Sequence, residues 1–485
     1  MTSERRQTPV PSAVGPTPPD PRRWRALALL AAMQFLLVVD LTVVNIALPR
    51  IGEDLDLGPA QLVWVVDAYG LTAGGLLLLG GRIADIAGRR RLFFAGVGVF
   101  ALGSALAGIA PTGWVLMSGR VLQGVGDAMA APAALALIIV LFPETAERAK
   151  AIGIWGALAG IGGVTGTVIS GIVTDALSWR YVFLIALPVA LAVFVFGPRL
   201  LSESRMLRAT RPRFAGVLAG TAGLTCVVFG FLAASEAAWG SPRVLISLGV
   251  GAALVAAMFV IEAHSRDPLI PPVFFAHRTR LTANAITLVN AASFGSFLFI
   301  LSLYVQGVLG YSPLNAGLAY LPIGIAIGVG VATGSLLIPR LGLRTLLTVG
   351  CGVTALGLGL TAALLAPDAS YWWQVAPSMV VVGLGQGILM PTMTTTALAG
   401  VGDQDAGLGS GIQTTMTHVG GALGLAILVS IAVRHTSTVA TSGRAEAESM
   451  IAGFALALTI AAVTMLAAGI ASALLVRKPA ELDPS

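Results

Sequence analysis

Charge is what this sequence has least of. Of its 485 residues only 11% are Asp, Glu, Lys or Arg, against 56% hydrophobic, and the mean hydropathy is +0.88. A water-soluble chain of this length could not cover its surface with so few charges. Cysteine is nearly absent: Cys226 and Cys351 both fall in apolar runs, which argues against a disulfide framework and leaves them as packing residues. The four histidines and two cysteines are scattered and offer no metal-ligand spacing. No Gly-Lys-Ser/Thr phosphate loop occurs, so direct drive by ATP is unsupported. The glycine-rich strings lie inside apolar runs with no strand before them, so they are not dinucleotide loops. An enzyme is not expected, nor is a cofactor or a metal.

What is abundant is apolar sequence in long runs. Fourteen such segments cover the chain, the first from Leu27 to Leu48 with Asp40 as its single charge. About 20 apolar residues at 1.5 Å rise span the ~30 Å bilayer core, and backbone amides in lipid must be satisfied within the segment. The expected fold is an all-α polytopic membrane protein with 14 transmembrane helices. An even number puts both termini on one side. Along the loops and tails, Lys and Arg number 23 on that side and 5 on the other, which makes the termini cytoplasmic. The same asymmetry accounts for a pI near 9.8 without nucleic acid. The tail 1–25 carries Pro9, Pro11, Pro16, Pro18 and Pro19 and is expected to be disordered and cytoplasmic. Arginines before the first run look like a signal-peptide start, but the run is too long, so it reads as an uncleaved span.

An internal repeat gives the organisation. Gly124-Val125-Gly126 with Pro132 in the fourth span matches Gly383-Leu384-Gly385 with Pro391 in the twelfth. Both lie in the fourth helix of a six-helix block if residues 26–199 form one half and 281–476 the other. Residues 200–280 then hold an inserted helix pair, the seventh and eighth, and 477–485 a second cytoplasmic tail. Two six-helix halves around a central site are a transporter pattern.

The most specific local motif is Gly81-Arg-Ile-Ala-Asp85-Ile-Ala-Gly88-Arg89-Arg90-Arg91, at the end of the second span. Gly88 permits a sharp return, the arginines hold the loop inside, and Asp85 can accept bonds from them or from a helix N-terminus. Gly81, Asp85, Gly88, Arg89 and Arg90 form a candidate conformational latch; the plainer alternative is a basic loop that only sets topology. This stretch resembles the signature between the second and third helices of the major facilitator superfamily, although Ile86 stands where a basic residue is usual. Asp40-Leu-Thr-Val-Val-Asn45-Ile-Ala-Leu-Pro49 resembles the first-helix signature of its fourteen-helix drug:proton antiporters. Arg120-Val-Leu-Gln123-Gly124-Val-Gly126, Glu147-Arg148-Ala-Lys150 and Trp179-Arg180-Tyr-Val-Phe183 resemble further family motifs, and the resemblance covers about 26 to 476. It implies alternating access driven by a proton gradient and export of hydrophobic or cationic compounds, of the multidrug or antibiotic efflux type. The fifth-span antiporter motif departs: Gly166-Thr167-Val-Ile-Ser170-Gly171 lacks the family's proline. Its small residues still suit close helix packing, and Thr167 could bend the helix by bonding backward.

Polar residues inside the spans are where function is expected, because a charge at the bilayer centre costs at least ~2.5–3.5 kcal/mol. Asp40 lies ~20 Å from the cytoplasmic edge and Arg120 ~9 Å below the outer one, so the two share the outer half. Helices 1 and 4 line the central cavity if the resemblance holds, which makes Asp40 a candidate proton carrier and Arg120 its modulator; a static ion pair is the alternative. Asp127, two turns below Arg120, stands where the family has a small apolar residue. It could bind a cationic substrate or a second proton, or sit neutral between helices. Asp67 in the second span is nearer the outside and expected to be more easily solvated. Asn45, Gln123, Gln386, Gln413 and His418 complete the candidate substrate-binding set. The expected function is proton-coupled efflux of a hydrophobic, often cationic, small molecule, with the bilayer and protons as partners and no nucleic acid or obligate protein partner. A proton-coupled importer or uniporter of a small metabolite, or a transport-inactive membrane sensor, remains open on the residues alone.

Overall fold

Helices account for every regular element of the computed structural model, which describes residues 21–204, 214–265, 268, 277–399 and 406–476; among these there is no strand. The first half contains α1 (Arg23–Leu55), α2 (Pro59–Ala87), α3 (Arg89–Gly108), α4 (Gly113–Leu141), α5 (Thr145–Ala176), and the pair α6 (Arg180–Leu184) and α7 (Ala186–Leu200), which cross as one span. Then come α8 (Phe214–Glu236) and α9 (Pro242–Ala263). The second half contains α10 (Arg278–Leu303), α11 (Pro313–Ala319), α12 (Leu321–Leu364), α13 (Ala376–Ala397), α14 (Ala406–Ala440) and α15 (Glu446–Leu475). The expected disordered tail ends earlier than residue 25, because α1 begins at Arg23; residues 1–20 and 477–485 lie outside the described residues.

Twelve of these helices are long and apolar enough to cross a membrane, thirteen if the two arms of α5 count as one span. The expected fourteen differ from that count at one place. Pro313–Leu364 passes as a single stretch of 52 residues, about 78 Å at 1.5 Å per residue and more than twice the bilayer core. It turns back on itself at Gly342, where φ is +75°. A Cβ on Gly330 would lie 3.1 Å from the Ile388 nitrogen, and one on Gly350 3.4 Å from the Ile388 side chain. Two glycines 20 residues apart touch one residue of α13 only if the arms are antiparallel. Glycine is needed at 342 because a Cβ is disfavoured at that φ.

The glycine repeat marks where helices meet most closely, in the same way in both halves. On α4, a Cβ on Gly124 would come within 2.7 Å of Tyr69 O on α2, and one on Gly126 within 2.5 Å of Phe100 N on α3. On α13, Gly383 stands equally close to Ile323 O on the first arm of α12, and Gly385 to Thr354 on the second. The proline completes the match: Gly81 faces Pro132 and Gly334 faces Pro391. With no hydrophobic drive between helices in lipid, such small-residue contacts and their dispersion energy hold the bundle together.

Two apolar cores follow. One is drawn from 26–201, with Phe93, Phe100 and Phe142 fully buried, and the other mainly from 286–476. A third lies where α1 and α2 meet α8 and α14. The halves are joined by α5: Gly166 packs on Thr42 and Val39 of α1, while Gly171 and Gly317 of α11 approach backbone to backbone, with Thr167 O 2.6 Å from a Cβ on Gly317. α5 bends by 41° between Gly163 and Thr165 without a proline. Thr165 there donates its hydroxyl to Ile161 O one turn back, a bond that competes with the helix ladder and bends it. α8 and α9 pack on each other and, through α8, against α2 and α14.

Candidate functional site

Asp40 enters the interior from α1 because the run on both sides of it is apolar and the helix has no other place to put it. There it meets α4. Asp40 Oδ2 accepts a hydrogen bond of 2.5 Å from Arg120 Nη1, and the pair is buried, with the arginine 0% and the aspartate 3% exposed. Gln123, one turn along α4, closes the group: its Oε1 accepts from Arg120 Nη1 at 2.8 Å, and its Nε2 donates to Asp40 Oδ1 at 2.8 Å. The same amide nitrogen reaches Ser104 Oγ of α3, and Arg120 Nε donates to Val65 O of α2 at 2.9 Å. Four helices thus supply partners to one ion pair. These bonds offset much of the cost of burying the pair, while Arg120 Nη2 has no hydrogen-bond partner among the described residues.

Tyr69 extends the network toward Asp127. Its ring lies 4.5 Å from the Arg120 guanidinium carbon, a cation–π distance, and its hydroxyl donates to Asp127 Oδ2 at 2.8 Å. Phe183 covers the guanidinium at 5.9 Å. Tyr69 and Ser104 were not anticipated from sequence. A signal existed for Tyr69, since a tyrosine hydroxyl inside an apolar span needs an acceptor; which acceptor was not legible.

The remaining candidates are distributed. Asp67 is 2% exposed, and its Oδ2 has no hydrogen-bond partner, which corrects the expectation that it is easily solvated. The packing of α8 and α14 against α2 is not visible from position along one helix. Asn45 bonds Leu41 O one turn back, and its carbonyl accepts from Ser302 of α10. Gln386 pairs both ways with Asn290 of α10, at 3.0 and 2.8 Å, making an amide couple in the second half. Gln413 donates to Thr394, and His418 packs its Cβ against Gly74 of α2. Asp127 and Gln386 each fall three residues after the first glycine of the repeat, so they hold matching positions in the two halves.

At the end of the molecule where α1 begins, Arg89 Nη2 reaches Asp85 Oδ1 at 3.0 Å. Gly88 turns the chain there at φ +109°. Glu203, after α7, accepts from the backbone nitrogens of Arg90 and Arg91 at 3.1 and 3.2 Å, occupying the N-terminus of α3. Arg90 stacks its guanidinium 5.8 Å over Phe94, and Gly81 lies against Pro132. Glu203 is a second carboxylate of this junction that the motif did not contain.

The Major Facilitator Superfamily profile matches residues 30–425. The puromycin resistance protein of Streptomyces alboniger is 40% identical over 457 residues, 92% of this chain and 90% of that protein. The cephamycin export protein of Amycolatopsis lactamdurans is 36% identical over 416 residues, 85% of each chain. The lincomycin resistance protein of Streptomyces lincolnensis is 36% identical over 420 residues, 84% of each. Among solved structures, a bacterial homolog of the human lysosomal transporter Spinster, inward-facing and occupied, superposes with a TM-score of 0.66 at 18% identity, covering 96% of this chain and 99% of that one. With its two glycine-matched helical halves and this similarity along most of its length, the chain belongs to the Major Facilitator Superfamily and is a transport protein rather than an enzyme.

Proposed function

We propose that this chain is a proton-coupled efflux transporter of the cell membrane, with both termini cytoplasmic, exporting hydrophobic and often cationic antibiotics or drugs by alternating access. Support for export comes from relatives named for puromycin resistance, cephamycin export and lincomycin resistance, matched over 84% or more of this chain. The observation that carries the coupling is the buried Asp40–Arg120 pair with Gln123 across it. Protonation of Asp40 cancels the charge that holds Arg120, and loss of the proton restores the pair. The proton gradient supplies the energy, and no cofactor takes part. Asp127, with its charge shared by the Tyr69 hydroxyl, is the group for a cationic substrate, and the Gln386–Asn290 couple offers amides from the opposite half. Asp67, Asn45, Gln413 and His418 are further candidates around the same path. Residues 26–199 and 281–476 act as the moving halves, with the helix pair of 200–280 inserted between them. Asp85, Arg89, Arg90 and the turn at Gly88 act as the latch, and Gly166, Thr167 and Gly171 as the packing surface on which the halves rock.

The test is uptake of labelled puromycin and lincomycin by cells with and without the protein. Expressing cells should accumulate less, and a protonophore at constant ATP should abolish the difference. Export that persists under the protonophore would remove proton coupling from the reading. Higher accumulation would replace export by import, and absence of counterflow in vesicles containing only this chain would leave a sensor.

A further inference from the structure

A cleft of about 750 Å³ lies between α2 and α4 on one side and the α8–α9 pair on the other, apart from the buried charge network. Its walls are apolar: Trp64 and Leu71 of α2, Met117 and Val121 of α4, Phe229 and Leu232 of α8. Trp114 and Val121 line it while being 81% and 41% exposed, so the cleft opens sideways along α4, where the bilayer lies. Along α2 it runs from Gln61 to Thr72, about 16 Å at 1.5 Å per residue, the depth of one leaflet rather than of the membrane. Its charged lining consists of Arg243, second residue of α9, and Asp56, in the turn between α1 and α2. Both lie at helix ends, where a membrane-spanning helix meets the headgroup region. Neither forms an ion pair among the described residues. Arg243 rests 4.9 Å over the Phe229 ring.

We propose that this cleft is a binding site for one phospholipid of the adjacent leaflet with a zwitterionic, amine-bearing head: the acyl chain lies along the apolar walls, the phosphate meets Arg243 and the ammonium meets Asp56. The charge pattern selects this occupant. A purely anionic head leaves Asp56 opposed, and an apolar molecule leaves both charges unanswered. Apolar walls fit the tail, since an acyl chain gains by burying CH₂ groups against protein as close-packed as its own leaflet. Arg243 suits phosphate through its planar fork of donors. The lipid fills the gap between the inserted pair and the helices that carry Tyr69 and Arg120.

The full-length protein is purified and exchanged into detergent containing phosphatidylethanolamine, phosphatidylglycerol, or both, and retained lipid is counted by native mass spectrometry. The wild type should keep phosphatidylethanolamine over phosphatidylglycerol by about fivefold, the preference corresponding to one charge contact at a membrane surface. Asp56→Asn should erase that preference, and Arg243→Gln should lower retention of both lipids, with Arg243→Lys restoring part of it. Thr225→Trp, which fills the cleft, should expel both. Equal retention of the two lipids by the wild type, or an unchanged preference in Asp56→Asn, overturns the proposal whether or not Thr225→Trp folds. Displacement of the lipid by excess soluble phosphoethanolamine also overturns it, because a site for the head alone has no use for the cleft.

Discussion

The Tyr69 hydroxyl donates to Asp127 Oδ2 at 2.8 Å while the ring of the same tyrosine lies 4.5 Å from the Arg120 guanidinium. One side chain of α2 therefore touches both charges of α4, and through Arg120 it is tied to Asp40 of α1. Asp40 and Asp127 are thus linked by three successive contacts, Asp40–Arg120, Arg120–Tyr69 and Tyr69–Asp127.

Substrate charge should be sensed at Asp127. A unit charge near 4 Å at an effective dielectric of about 20 is worth about 4 kcal/mol before desolvation. Asp127→Asn should therefore weaken transport of cationic compounds by about tenfold or more and leave neutral ones much less affected. Transport of a cationic and a neutral compound in the same vesicles decides it, and equal losses would remove the role.

Coupling should reside in Asp40. Asp40→Asn should abolish uphill, proton-driven efflux while leaving substrate exchange measurable. Arg120→Ala leaves the aspartate buried without its partner and should cost about 3–5 kcal/mol of stability, whereas the double variant Asp40→Asn/Arg120→Gln should recover most of it. Melting in detergent checks the second statement, and a single variant as stable as the double one would contradict it.

Turnover should depend on the junction of α2 and α3. Asp85→Ala and Glu203→Ala both loosen the end of α3 that Glu203 occupies, the latter at a cost of about 1 kcal/mol. Both should lower the maximal rate more than substrate affinity. Weakened affinity with a normal maximal rate would assign these carboxylates to the binding site instead.

The paired glycines should respond alike. Gly124→Ala and Gly383→Ala push a Cβ within 2.7 and 2.6 Å of backbone oxygens on α2 and α12, so each should lower stability by about 1–3 kcal/mol. Gly421→Ala on α14, with nothing within 4 Å, is the control and should be silent. Thermal melts of the three variants test the match between the halves.

Orientation should follow the arginines, with the arginine-rich loops cytoplasmic. An impermeant thiol reagent applied to intact cells should label Trp373→Cys, beside the turn at Asp368, and fail to label Arg90→Cys. The opposite pattern would invert the molecule.

The sequence by itself determined that this is a helical membrane protein with matched halves, because lipid admits few backbone solutions and the glycine–proline repeat recurs in the fourth helix of each. It also singled out Asp40, Arg120 and Asp127, since charges in apolar runs are few and stand out. Tertiary structure decided who meets whom. Helical periodicity gives depth along one helix and one face of it, but not the rotation of one helix against the next, so Tyr69, Ser104 and Glu203 stayed hidden and Asp67 looked more solvated than it is. The reversal near Gly342 is implicit in the count of fourteen spans, but only the contacts of Gly330 and Gly350 with one residue of α13 show its arms lying side by side.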